Sequence, residues 1–165
     1  MKRIGILSDT HGTWDARFAE HFEECDEVWH AGDIGDLSVL RQLQEVVPTV
    51  RAVAGNIDGT SIRQECPTEL FFELEGCRIL IRHIVGRPGR YQAGITTRLR
   101  ALRPTITVCG HSHILLVGFD PIYDTLLINP GAAGTYGQQT VRTLLRLNLH
   151  DAKPSDLEVI ELARH

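Results

Sequence analysis

The sequence RIGILSDTHG at residues 3–12 places a short apolar run directly before an aspartate and a histidine. Such a run, ended by polar residues, predicts a buried strand over 3–8 that leads into a loop. This apolar run is too short for a secretion signal, and charged residues interrupt every later apolar run before it reaches transmembrane length. A cytoplasmic protein without a membrane partner is therefore predicted.

The rest of the chain divides into an alternating first part and a β-rich second part. Helical apolar spacing predicts helices over 14–24 (capped by Thr13), 36–47 and 91–102. β-branched or alternating apolar residues predict further strands over 27–31, 49–54, 69–75, 78–82, 105–109, 114–119, 125–129, 140–149 and 157–162. The order is βαβαβ followed by antiparallel β, which predicts a mixed α/β sandwich of two packed sheets with helices outside.

Length and composition fit one globular domain, predicted over residues 1–165. Apolar residues make up 42% and charged residues 23% of the chain, close to the globular average. The net charge of -4 argues against a broad basic surface, so a nucleic-acid polymer is not an expected partner. The four cysteines form no Cys-x-x-Cys pair and are expected to be separate reduced thiols.

Seven side chains that can ligate metal ions follow the ends of five predicted strands. They are Asp9, His11, Asp33, Asn56, His83, His111 and His113. Because sites in open α/β sheets lie at the carboxyl ends of strands, these side chains are expected to meet in one cleft. Oxygen and nitrogen ligands suit manganese, iron, zinc, nickel or cobalt and do not favour a thiolate site. Seven ligands can hold two ions if one carboxylate, for which Asp33 is the candidate, bridges them.

Two divalent ions suit the hydrolysis of a phosphate ester. A phosphodiester is anionic and repels a hydroxide nucleophile. Two cations about 3.5–4 Å apart lower the pKa of a bridging water and hold the phosphate oxygens during in-line attack. A small phosphate ester is therefore the predicted substrate.

The motifs around these ligands resemble those of a known family. Asp9-Thr-His11, Gly32-Asp33, Gly55-Asn56, His83 and Gly110-His111-Ser-His113 occur in the order of the calcineurin-like metallophosphoesterases. The resemblance extends from Asp9 to the Asn-Pro-Gly turn at 129–131 and is greatest to the small bacterial and archaeal phosphodiesterase subfamily.

That resemblance implies a four-layer α/β/β/α sandwich and a phosphodiesterase with two bound divalent ions. Manganese is the first candidate, with nickel, iron, zinc and cobalt as alternatives. One ion would take Asp9, His11, Asp33 and His113. The other would take Asp33, Asn56, His83 and His111. Asp33, His111 and Asn56 are the expected catalytic residues.

Several nearby positions carry separate expectations. Ile57 stands where many family members have a histidine that stabilises or protonates the reacting phosphate, so esters whose leaving group departs without strong protonation are predicted substrates. His30 is expected to support the site or to be structural. Asp58 could orient the Asn56 loop or stabilise a turn, and the turn is the favoured expectation. Arg82, Arg87 and Arg90 lie near His83 and could grip a substrate phosphate, but a solvated basic loop is the expectation for each of them.

A second function remains open from the sequence. The retromer scaffold subunit resembles the same subfamily, so a non-catalytic, protein-binding scaffold of this fold is the alternative. A ligand at every expected position favours the enzyme. A homo-oligomer is a further possibility, since family members often self-associate.

Overall fold

The computed structural model describes residues 1–163, so the last two positions of the predicted domain lie outside the described residues. The helices are α1 (Ala16–Phe22), α2 (Leu37–Val46), α3 (Thr60–Arg63) and α4 (Ile95–Leu102). The strands are β1 (Lys2–Leu7), β2 (Glu27–His30), β3 (Thr49–Ala52), β4 (Glu69–Leu74), β5 (Cys77–Arg82), β6 (Gly86–Arg87), β7 (Arg90–Tyr91), β8 (Ile106–Val108), β9 (Leu115–Asp120), β10 (Thr125–Pro130), β11 (Arg142–His150) and β12 (Lys153–Leu162). None of the helices in residues 1–163 has both the length and the apolar character needed to cross a membrane.

Two five-stranded sheets and one small hairpin make up the β structure of these residues. The first sheet has the order β12-β11-β1-β2-β3, in which β1, β2 and β3 are parallel and β11 is antiparallel to both of its neighbours. The second has the order β4-β5-β8-β10-β9, with parallel β5, β8 and β10 between antiparallel edge strands. β6 pairs with β7.

The main core lies between the two sheets, and the helices cover their outer faces. Ile6 and Trp29 of the first sheet pack against Ile79 of the second, and the Trp29 ring lies edge-on to Phe72 with centroids 5.5 Å apart. α1 and α2 pack on the other face of the first sheet, and α4 on the other face of the second. The predicted four-layer sandwich is confirmed.

The four cysteines, as predicted, form no disulfide. Cys25, Cys66, Cys77 and Cys109 are all free and buried. Burial raises the pKa of the Cys109 thiol to about 12, so this side chain stays protonated and inert in the core.

Two helices begin later than the sequence predicts. α1 begins at Ala16, because the side chain of Asp15, and not Thr13, caps it by accepting a hydrogen bond from the Arg17 N–H at 2.9 Å. α4 begins at Ile95 and not at 91. Gly94 has a φ of 84°, which no right-handed helix accommodates, and Tyr91 belongs to β7.

Some elements differ from the strand prediction or were not predicted. β12 begins at Lys153, four residues before the predicted start, and pairs with β11 along its length. β6 and β7 have two residues each, which is too short for an alternating pattern to show. α3 is a single turn that brings Ile62 into the core. The other predicted elements occur within two residues of their predicted bounds.

Candidate metal centre

The seven predicted ligands lie in loops at the carboxyl ends of parallel strands. The loops after β1, β2 and β3 carry four of them, and the loops after β5 and β8 carry three. In chain order they are Asp9, His11, Asp33 and Asn56, then His83, His111 and His113. Parallel strands end at the same edge of a sheet. The packing of the two sheets brings the two edges together, as the following distances show.

Two buried carboxylates face histidine nitrogens from both sheets. Asp33 Oδ2 lies 3.5 Å from His11 Nε2 and 3.2 Å from His83 Nε2. Asp9 Oδ1 lies 3.2 Å from His113 Nε2, 3.7 Å from His11 Nε2 and 3.8 Å from His83 Nε2. The two carboxylates therefore lie at the centre of the cluster, with the imidazoles around them.

The ligand atoms fall into two groups, each compact enough to hold one ion. We call them the Asp9 group (Asp9, His11, His113) and the Asp33 group (Asp33, His83, His111); within each, the ligand atoms lie within 4.8 Å of one another. Asn56 lies beside the Asp33 group, with its Oδ1 3.1 Å from His111 Nδ1. The structure thus brings all seven residues together.

Three buried atoms of this cluster have no hydrogen-bond partner among the described residues. They are Asp9 Oδ1, His11 Nε2 and His83 Nε2. A buried polar atom without a partner is destabilising, so native proteins leave few of them. Carboxylate oxygen and imidazole nitrogen are both ligands of first-row divalent metals. A cation between these atoms would satisfy all three, so the residues fit a metal site.

The comparisons with known proteins agree with this geometry. A family model, the calcineurin-like phosphoesterase superfamily domain, matches residues 1–152. The chain belongs to the calcineurin-like phosphoesterase superfamily. The family predicted from the motifs is therefore confirmed.

Two archaeal relatives are similar over most of this chain. A probable metallophosphoesterase of Methanocaldococcus jannaschii is 28% identical, with 96% of this chain and 81% of the relative covered. A phosphodiesterase of the same organism is 27% identical, with 81% of this chain and 86% of that protein covered. A zinc-bound Vps29 structure from Entamoeba histolytica superposes with a TM-score of 0.77 at 15% identity, covering 99% of both chains. That likeness concerns the fold alone.

At the centre of the cluster, each of the two carboxylates is oriented through one of its oxygens. Asp9 Oδ2 accepts hydrogen bonds from Ser8 Oγ at 2.6 Å and from the His111 N–H at 3.1 Å. Asp33 Oδ1 accepts one from the Ile57 N–H at 3.1 Å. The other oxygen of each carboxylate is left to face the histidines. A side chain at Gly55 or Gly110 would overlap these aspartates, so both positions need glycine.

The main chain orients His83 so that one of its ring nitrogens faces the two carboxylates. Its Nδ1 donates to the Ala31 carbonyl at 2.8 Å, which leaves Nε2 to ligate. Burial opposes protonation of His83, but Asp33 and Asp9 outweigh it and raise the pKa of the imidazole. Burial also opposes ionisation of Asp33, yet His83 and the Ile57 N–H lower the pKa of that carboxyl.

Five ligands adopt the left-handed backbone region that residues other than glycine rarely occupy. The φ angles are 54° at Asp9, 47° at His11, 54° at Asp33, 76° at His111 and 63° at His113. Such conformations cost free energy and occur where the surrounding structure imposes them, often at functional sites. Six other non-glycine residues among 1–163 also have a positive φ, but they are scattered along the chain, whereas these five lie together at one edge of the fold.

His30 connects the loops after β1 and β2. Its Nδ1 accepts from the Gly32 N–H at 3.1 Å. The Thr10 hydroxyl donates to the Ile34 carbonyl at 2.9 Å, so His30 Nε2 donates to that hydroxyl at 3.0 Å. Burial, with a smaller contribution from the charge of His83, lowers the pKa of His30 to about 3. His30 is thus a neutral support of the site.

Asp58 does more than stabilise the predicted turn. Its carboxylate accepts hydrogen bonds from the Gly55 N–H at 2.8 Å, the Ile34 N–H at 3.1 Å and the Gly35 N–H at 2.9 Å. It therefore joins the loop that carries Asn56 to the loop that carries Asp33. The turn expectation was incomplete, because a local pattern gives no sign of bonds to residues more than twenty positions away.

Three further residues contact the cluster and were not singled out from the sequence. Asn129 Nδ2 donates to the Gly110 carbonyl and to Ser112 Oγ, both at 3.0 Å, and so shapes the Gly-His-Ser-His loop. Gln139 Oε1 lies 3.1 Å from His113 Nδ1, and the Tyr136 ring lies 4.7 Å from the His11 ring. The Asn-Pro-Gly turn was a signal for Asn129. The segment 134–139 offered none.

Proposed function

We propose that this phosphoesterase hydrolyses small phosphodiesters with two divalent metal ions. One observation carries the proposal. Asp9 and Asp33 each have one oxygen that accepts hydrogen bonds from protein donors and a second oxygen that faces histidine nitrogens. Of the facing atoms, Asp9 Oδ1, His11 Nε2 and His83 Nε2 are buried without a hydrogen-bond partner. This is the arrangement expected of carboxylates that share cations with imidazoles.

The two groups of ligand atoms support the assignment of two ions. We propose that the Asp9 group holds one and that the Asp33 group, with Asn56, holds the other. Asp33 would contribute to both, because its Oδ2 lies within 3.5 Å of a histidine from each group. The donor set suits manganese, our first candidate, and also nickel, iron, zinc or cobalt. Bound ions would supply a lowered water pKa and polarise the phosphoryl oxygens.

The side chains at the exposed rim are placed to contact the phosphoryl group. His111 and Asn56 are both exposed and lie beside the buried Asp33, so we assign these three as the catalytic residues. Ile57, which is 49% exposed at the same rim, has no proton to give a leaving group. Diesters of acidic alcohols such as p-nitrophenol are therefore the preferred substrates.

The test is hydrolysis of bis(p-nitrophenyl) phosphate by metal-stripped protein, with Mn²⁺, Ni²⁺, Zn²⁺, Mg²⁺ or nothing added back. We expect turnover only with a transition metal and two ions bound per chain. Asp33→Ala and His111→Ala should abolish turnover, whereas His150→Ala, which removes an exposed histidine paired with Asp151, should not. Two bound ions without turnover of any phosphate ester would refute the enzyme.

One observation favours the alternative, a protein-binding scaffold. The edge strand β9 exposes Leu115, Val117 and Phe119 along one face, and the last of these is 57% exposed. Apolar rows of this kind occur at protein interfaces. The two compact groups of ligand atoms around a buried carboxylate pair favour the enzyme, so the enzyme is the function that we propose.

A further inference from the structure

A cavity of about 440 Å³ opens beside the Asp33 group. His111 forms part of its wall, so the cavity is continuous with the proposed metal centre. Ile84, Ile114 and Leu116 give it apolar walls, while Arg87 and Arg90 add two cations. Its volume lies in the range of small-molecule sites, and its apolar walls with a few polar groups have the character of such sites.

The two arginines are held against each other by the β6–β7 hairpin. Arg87 pairs directly with Arg90 across the ladder, and Pro88 and Gly89 form the two-residue turn between them. Gly89 has a φ of 82°, the value that the residue after proline takes in a type II turn. Like charges directly opposite each other on paired strands are destabilising, so this hairpin holds two cations at a cost.

No carboxylate within residues 1–163 pairs with either of these guanidinium groups. Other arginines of the same region do have partners: Arg82 and Arg98 both pair with Glu69. Arg87 and Arg90 are exposed and line the cavity without such a partner. Two adjacent guanidinium groups are well suited to a phosphate, which accepts hydrogen bonds from both.

We propose that this cavity binds the part of the substrate beyond the ester under attack, and that this part carries a second phosphate held by Arg87 and Arg90. The inference rests on the proposed phosphodiesterase function. The apolar walls fit a ring system between the two phosphates. The substrate class is thus a diester of a phosphorylated nucleoside, in which one phosphate is cleaved and the other gives affinity.

The test compares two chromogenic esters that differ only in the second phosphate. They are thymidine 5′-(p-nitrophenyl phosphate) and the same ester carrying a 3′-phosphate. We expect wild-type protein with Mn²⁺ to prefer the second ester by at least about tenfold in kcat/KM, through a lower KM. Arg87→Gln/Arg90→Gln should remove this preference and change kcat/KM for the first ester by less than about twofold.

A matched variant and a binding measurement complete the test. Arg100→Gln/Lys153→Gln removes the same charge from positions outside the cavity and should keep the preference. Calorimetry with thymidine 3′,5′-bisphosphate and thymidine 5′-monophosphate should show the same difference in affinity, lost only in the Arg87/Arg90 variant. Equal rates and equal affinities for each pair would overturn the inference. If wild-type protein cleaves neither ester, the phosphodiesterase proposal fails, and the calorimetric difference alone decides for or against the arginine site.

Discussion

The Asp33 group and the Asp9 group have the same kinds of ligand but are held in different ways. In the Asp33 group, the Ala31 carbonyl orients His83 and the Ile57 N–H orients Asp33, so both supports are main-chain atoms at strand ends. In the Asp9 group, Ser8 Oγ supports Asp9 and Gln139 contacts His113. The His111 N–H also holds Asp9, so side chains share the support of the Asp9 group with the backbone, whereas both of these supports of the Asp33 group are main-chain atoms.

The surroundings of the two groups differ as well. His111 of the Asp33 group borders the cavity with its two arginines. The Asp9 group lies beneath Tyr136, whose ring stacks near His11. Because backbone supports are less free to move than side chains on a surface segment, we expect the Asp33 group to retain its ion when the Asp9 group has lost its own.

The largest effect should come from the residue that the two groups share. Asp33→Asn removes a charge close to both positions, so both ions should bind more weakly and kcat/KM should fall on the order of a thousandfold. Metal analysis beside steady-state kinetics measures both quantities. Asp36→Asn, at the exposed cap of α2, is the control and should change neither. Two tightly held ions in Asp33→Asn would show that Asp33 does not bridge.

A weaker but more selective effect is expected at Asp58. Asp58→Ala leaves three backbone N–H groups without their acceptor and loosens the loops of Asp33 and Asn56. The affinity of the Asp33 group for Mn²⁺ should fall about a hundredfold, measured by competitive metal titration. Asp26→Ala also removes a carboxylate that accepts from a backbone N–H, that of Arg3, but far from the site. If Asp58→Ala and Asp26→Ala lost the same Mn²⁺ affinity, Asp58 would have no selective effect on the Asp33 group.

The convergence of the seven proposed ligands was predictable because each follows a strand end. Asp9, Asp33 and His111 come directly after short apolar runs, and parallel strands deliver such residues to one edge. The supports were not predictable in the same way. Asp58 and Gln139 act on residues more than twenty positions away, and no local pattern records such a contact.

The hairpin that pairs Arg87 with Arg90 was not predicted, for a related reason. The apolar spacing of Tyr91, Ile95 and Leu99 is compatible with one helix, and a helix over 91–102 was predicted. The left-handed backbone of Gly94 prevents the helix from extending back to Tyr91, which instead pairs with Gly86 in the β6–β7 hairpin. Only this short pairing sets Arg87 opposite Arg90, since two-residue strands carry no period of their own.

His30 links the loops of both groups, and its titration should be visible in stability. Its pKa is about 3 in the folded chain against 6.5 for a free imidazole. Below pH 6.5 the unfolded chain binds a proton that the folded chain does not. The contribution of neutral His30 to the free energy of unfolding is therefore fully present above pH 6.5 and is lost as the pH falls toward 3.

Urea unfolding of metal-free protein at pH 7 and pH 5 measures this loss. The free energy of unfolding should fall by about 2 kcal/mol more in wild type than in His30→Gln, which keeps a donor and an acceptor but does not titrate. This is about thirtyfold in the folding equilibrium. Other titrating groups act in both proteins and cancel in the difference. Parallel pH profiles would mean that His30 is protonated in the folded chain.

The smallest expected effect tests the side-chain support of the Asp9 group. Gln139→Ala removes the amide oxygen beside His113 Nδ1 and should weaken Mn²⁺ binding at that group about tenfold. The ion of the Asp33 group should be retained, because its supports are main-chain atoms that the substitution leaves in place. A metal titration followed to two equivalents should then show one weakened step and one unchanged step.

Gln138→Ala is the matched control for that titration. Gln138 is the exposed neighbour of Gln139 in the same segment, and its removal takes no contact from His113. Gln139 Nε2 also donates to the Gly134 and Tyr136 carbonyls, so Gln139→Ala removes two bonds that hold the segment itself. If the two variants weaken the same step equally, the mobility of the segment and not the Gln139 amide determines the affinity. If Gln139→Ala weakens both steps, the two groups share their support, and the contrast between backbone and side-chain anchoring does not hold.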